Sequence, residues 1–166
     1  MGTFFLIPRI LSCVINLEKH DLELAKQKLT KNDLSLVIVK NGQIVFETKN
    51  QGVSGFLQAI ETLDQNLVGA SVADKIVGVA AALLCVYSKV SSVFALTVSE
   101  SGLSALKEHN ILCLFEKKVE NILNRDKTDV CPFEKLAMGS KTPAEAFMKV
   151  KDCAVQMMKK FAKDKN

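Results

Sequence analysis

Gly69-Ala-Ser-Val-Ala-Asp-Lys-Ile-Val-Gly-Val-Ala-Ala-Ala82, running on through Leu83, Leu84, Cys85 and Val86 to Tyr87, is the stretch on which the fold turns. Ser71 and Asp74 stand three residues apart ahead of an apolar run, the spacing of a capping box whose side chains satisfy the free amides of a helix's first turn. The pattern therefore predicts a helix opening at Ser71, with its body from Ile76 to Tyr87. Such a helix is apolar on every side, so it is buried on every side. Gly78 and the run Ala80, Ala81, Ala82 bring its backbone close to whatever it covers, which predicts a central place against a sheet. The run is well short of the roughly 20 residues needed to cross a bilayer.

Elements of both periods flank this core. Upstream, Leu22, Ala25 and Leu29 form an apolar stripe within residues 17–30, the spacing of a surface helix. Leu34 to Lys40 and Gln43 to Thr48 are β-branched runs around Asn41-Gly42, a pair suited to a type I′ hairpin turn. Val53, Phe56, Leu57, Ile60 and Leu63 then mark a second amphipathic helix. Downstream, Val93 to Val98 reads as a strand, Ser99 as the cap of a short helix carrying Leu103 and Leu106, and Ile111 to Phe115 as another strand. Strand, helix, strand implies a right-handed parallel crossover. Residues 117–130 are polar and less regular. Cys131-Pro132-Phe133-Glu134 opens a short helix ending near Gly139, and Thr142, Pro143 and Glu145 open a last one with Phe147, Val150, Ala154, Met157 and Phe161 on its inner face. These elements predict an α/β domain of three layers, α/β/α, around a mixed and mostly parallel sheet. Residues 1–15 read as an N-terminal extension and residues 16–166 as one domain.

Composition narrows the function classes. The chain has 166 residues, 48% of them hydrophobic, enough for one core, and 22 basic against 18 acidic side chains give a net charge of +4. So small an excess projects little field. The lysines between Lys149 and Lys163 are interrupted by apolar residues at helical spacing, which speaks against a nucleic-acid patch. Cys13, Cys85, Cys113, Cys131 and Cys153 are odd in number and show no CxxC spacing, as in a reduced, cytoplasmic protein. Phe4 to Ile7 lacks a basic lead and is broken by Pro8 and Arg9, so no secretory signal is expected. Neither segment suggests membrane insertion.

The Gly69–Ala82 stretch, Asn124-Arg125-Asp126 and Cys131-Pro132-Phe133-Glu134 together resemble a domain-of-unknown-function family with a cytidine-deaminase-like fold. The resemblance covers about residues 20–150, and Ala73-Asp74-Lys75, Gly78 and the Cys-Pro-Phe-Glu run are its most specific pieces. It implies an active-site analogue where the start of the buried helix meets the turn after the strand Val93–Val98. True deaminases carry a His or Cys, two further cysteines and a proton-shuttling Glu at these places. Here they read Ala73-Asp74-Lys75 and Ser99-Glu100-Ser101. A zinc-deaminase mechanism is not expected, nor any metal or other cofactor, and His20 and His109 read as surface side chains.

Three functional readings follow. In the first, the domain is a catalytically silent binding module: the helix start at Ser71, Asp74 and Lys75 takes a nucleotide or other small anion, with Asn124, Arg125 and Glu134 nearby. The second makes it an enzyme with Cys131, at a helix N-terminus, as nucleophile or redox thiol, and Asp74 assisting proton transfer. Capping and packing also account for Cys131 and Asp74, and Glu134 opposes a thiolate beside it. The third reading is a protein-interaction or assembly module, such as a homo-oligomer formed through apolar Phe4, Phe5, Leu6 and Ile7 or through a sheet edge.

Overall fold

In the computed structural model, which describes the backbone of residues 6–163 and the side chains of residues 16–160, five strands form one sheet in the order β2-β1-β3-β4-β5. Phe4 and Phe5 lie outside the described residues, as do the side chains of Leu6, Ile7, Cys13 and Phe161. Helix α1 (Leu6–Lys31) begins well before residue 17, where the apolar stripe starts. It leads into β1 (Leu36–Lys40) and β2 (Gln43–Thr48). The hairpin turn is the expected one: Asn41 and Gly42 both have positive φ, 53° and 75°. From α1, the buried carboxylate of Asp21 accepts the Asn41 and Gly42 backbone N–H groups at 2.8 and 2.7 Å.

The Gly69–Ala82 stretch folds differently from its reading. Ser71–Val77 is strand β3, and the helix, α3, spans only Val79–Tyr87 after an extended Gly78. Ser71 and Asp74 therefore form no capping box, and Lys75 stands on a strand rather than at a helix entrance. The cause is position in the sheet. β3 lies inside the sheet between β1 and β4, with Ala73 under α1 on one face and Val72 and Val77 in the larger core on the other, and a strand covered on both faces loses the period of two that would mark it.

β4 (Ser92–Ser99), α4 (Glu100–Glu108) and β5 (Leu112–Val119) supply the expected crossover, and β4 and β5 pair in parallel. β5 runs four residues beyond Phe115, into the polar segment. After it come α5 (Pro132–Met138) and α6 (Pro143–Lys163). Thr142 caps α6, its Oγ1 accepting the Glu145 N–H at 3.1 Å.

The two faces of the sheet are covered unequally. The larger core joins α2 (Val53–Leu63), α3, α4, α5 and α6 to Leu36, Ile38, Val72, Val93 and Ala95. The smaller one has α1 alone, with Leu22, Ala25 and Leu29 on Val37, Val39, Ala73 and Phe94. The result is the expected α/β/α layering around a mixed sheet whose β3, β4 and β5 run parallel. Among the described residues no helix is long and apolar enough to cross a membrane.

Candidate functional site

Parallel strands followed by helices place the helix starts at one edge of the sheet, and a third element reaches over that edge here. Ser99 ends β4 and caps α4, its Oγ accepting the Gly102 N–H at 3.0 Å. The same hydroxyl donates to Glu134 Oε1 of α5 at 2.8 Å, and Ser101 Oγ adds a longer bond of 3.3 Å to that oxygen. Glu134 is 2% exposed, an uncommon burial for a carboxylate and one that needs such donors.

Two glycines make room for it. A Cβ on Gly78, just before α3, would come within 2.1 Å of Glu134 Oε2, and a Cβ on Gly102 within 2.8 Å of the Gly78 carbonyl carbon. The starts of α3 and α4 thus touch backbone to backbone, with the Glu134 carboxylate over them. Pro132 at the first turn of α5 and Gly139 at its end set the short helix that carries Glu134.

Beside this corner lies an open groove of about 340 Å³ between α3, α4 and α5, with Val79, Leu83 and Met138 as apolar wall and Ser101, Ser104 and Glu108 as polar wall. Ser101 belongs to both corner and groove. A second groove, about 300 Å³ between α2 and α6, is bordered by the Lys151–Glu61 ion pair at 3.0 Å.

The remaining sequence candidates stand apart from the corner. Ser71 is buried under α1, accepting from Ser92 Oγ at 2.9 Å and donating to the Glu18 carbonyl at 3.4 Å. Lys75 pairs with Asp33 at 2.5 Å. Asn124 is spent on its own loop, its Oδ1 accepting the Thr128 N–H at 3.0 Å and its Nδ2 donating to Thr128 Oγ1 at 3.0 Å, and Arg125 is exposed. Cys131 occupies the N-cap position of α5 without a side-chain capping bond. Its backbone carbonyl accepts the Lys135 N–H. Glu134 is the one candidate that the fold joins to the Ser99-Glu100-Ser101 corner.

Asp74 faces the larger core, opposite Leu36 and Ala95. Burial pushes its carboxyl up to about 7, against a weaker opposing pull from the Ile76 N–H that it accepts. Burial, and after it the nearby Asp74 carboxylate, push the Cys85 thiol upward. An acid raised in the folded state binds its proton more tightly there than in the unfolded chain, so stability is greatest with the proton on and falls as pH climbs from about 4 through 7. Asp33, Asp129 and Glu145 are shifted the other way, each chiefly by a hydrogen bond from a lysine partner. Wild-type melting temperature should drop between pH 5 and 8, and Asp74→Asn should flatten that drop; a variant with an unchanged slope would assign the titration elsewhere.

Ala73-Asp74-Lys75, expected at the start of the buried helix, is inside β3, and the helix begins only at Val79. The donors around the two helix starts are serine hydroxyls and one carboxylate already bonded to them. They do not fit zinc, which prefers thiolate and imidazole ligands. Among the described residues no group of three or more His, Cys, Asp and Glu side chains could hold a metal ion.

Fold and corner together define a three-layer α/β domain with a buried carboxylate at the meeting point of two helix starts. The chain belongs to the TM1506 family, a domain of unknown function (DUF1893), whose model matches residues 24–154. The crystal structure of a DUF1893 family protein (TM1506) from Thermotoga maritima is similar at 32% identity and a TM-score of 0.75, over 81% of this chain and 90% of that one. Weaker likenesses reach Acinetobacter baumannii RibD (20% identity, TM-score 0.43, 64% of this chain and 36% of that one). They also reach a T. maritima diaminohydroxyphosphoribosylaminopyrimidine deaminase/5-amino-6-(5-phosphoribosylamino)uracil reductase (19% identity, TM-score 0.42, 74% and 40%). The chain spans about two fifths of the length of these last two. No curated protein matches it.

Proposed function

We propose that the domain is a small-molecule binding module that takes a nucleoside-like ligand in the groove between α3, α4 and α5. The observation that supports this reading is the buried Glu134 carboxylate, held by Ser99 and Ser101 beside a groove with one apolar and one polar wall. A flat heterocycle would bury a face against Val79, Leu83 and Met138 and direct its N–H groups at Ser101, Ser104 and Glu108. A nucleotide's phosphates would instead meet the Glu108 carboxylate in the groove wall, so a nucleoside or nucleobase suits the groove better than the anion first expected. Free thiols at Cys85, Cys113, Cys131 and Cys153 support placing the domain in the cytoplasm.

A thermal-shift series with nucleobases, nucleosides and nucleotides tests it. At ten times its dissociation constant a ligand adds about 1.4 kcal/mol, or about 4 °C for a domain of this size. Nucleosides should give that shift at millimolar concentration. Glu134→Gln, which keeps an oxygen for the serines but loses the charge, should reduce it at least by half. If no nucleoside or base stabilises the domain, or if Glu134→Gln responds like wild type, the reading fails.

A further inference from the structure

The thinner side of the sheet leaves a patch uncovered. On β5, Leu112 and Leu114 lie in register with Ser92 and Phe94, so they share the face that α1 packs on, yet they are 51% and 50% exposed. Half-buried Leu96 of β4 and Leu24 of α1 border the core on the same face, and exposed Leu17 continues the side of the helix that carries Leu24. These five leucines make one apolar strip along α1 over the β4–β5 half of the sheet.

The same helix carries an apolar arm. Glu18 receives the Ser71 hydroxyl at the first residue of β3, and Asp21 holds the hairpin turn at the same edge of the sheet. The residues before Glu18, Leu6 to Leu17, thus lie beyond that edge, a length of about 18 Å at the α-helical rise. Their sequence, LIPRILSCVINL, has one charge and places Leu6, Ile10, Val14 and Leu17 at three- and four-residue spacing. Because arm and docked half are one continuous helix, the arm cannot fold back onto its own strip.

We propose that a second copy of this chain covers the strip: two copies meet about a two-fold axis, and each lays its arm antiparallel to the other's α1 over β4 and β5. Dimensions and chemistry agree. From the level of Leu112 to Leu96 is four strand residues, about 13 Å, within the arm's reach. The arm's sequence, with its single charge, matches an apolar strip. Each copy offers one arm and one strip, so the contact closes at two.

Sedimentation of the full chain tests this. Wild type at micromolar concentration should sediment at twice the 18.2 kDa chain mass. Leu114→Glu on the strip and Leu17→Glu at the root of the arm should each give the monomer mass, with unchanged far-ultraviolet circular dichroism. Both positions are exposed in the single chain, so neither change should unfold it. A monomeric wild type would overturn the proposal. So would a dimer that survives both substitutions, which would place the contact elsewhere, such as the outer edge of β5.

Discussion

Gly102→Ala is expected to destabilise the domain by about 3 kcal/mol, near the upper end of overpacking effects. The added methyl would sit 2.8 Å from the Gly78 carbonyl carbon, 2.9 Å from the Val77 carbonyl oxygen and 3.0 Å from that of Gly78. All three are backbone atoms in a fully packed corner, so no side chain can swing aside. Helix α4 would have to lift away from the end of β3, taking with it Ser99 Oγ, which the Gly102 N–H holds, and so the seat of Glu134. Urea unfolding would show the loss as a lower midpoint at unchanged slope. The nucleoside response should disappear with it. A cost below about 1 kcal/mol would mean that the two helix starts are not in backbone contact.

The second large effect is at Asp21→Ala, for which a loss of about 2–3 kcal/mol is expected. The 4% exposed carboxylate accepts two backbone N–H groups, from Asn41 and Gly42, and so ties α1 to the hairpin. Charge-assisted bonds of this kind contribute about 1.5–3 kcal/mol each when buried, less where, as in this turn, water reaches the donors. Asp21→Asn keeps one acceptor oxygen but brings an NH₂ against the second donor, so it should recover less than half. Amide exchange at Asn41 and Gly42 should accelerate in both variants. Unaltered exchange would mean that the turn stands without the helix.

What the sequence disclosed and what it hid follow from how far apart the deciding residues lie. The hairpin was legible because Asn41-Gly42 encodes its positive φ angles locally. The last helix was legible because Thr142, Pro143 and Glu145 act within one turn. Ser71–Val77 misled because a capping-box spacing fell by chance on a strand covered on both faces, where periodicity cannot separate strand from helix. A local cue was present: β-branched Val72, Ile76 and Val77 precede Gly78, and alanines follow it. Asp21 gave no sign of its role, since its partners are about twenty residues away and are backbone groups.

The corner was half legible. Ser99 was readable as a helix cap and Glu134 as an acid in the first turn of a short helix. Nothing in the sequence joined them across 35 positions. That needed the parallel order of β3 and β4, which sets the starts of α3 and α4 side by side, and the bare backbones of Gly78 and Gly102, which leave room for a carboxylate above them.

The most direct measurement of the proposed role is a ¹⁵N-resolved amide map recorded while cytidine is titrated into the full chain. Shifts should concentrate on Val79, Leu83, Ser101, Ser104 and Met138 around the Glu134 corner, saturating in the millimolar range or below. Perturbations confined to the α2–α6 groove around Ser54 and Lys151, or none at all, would contradict it.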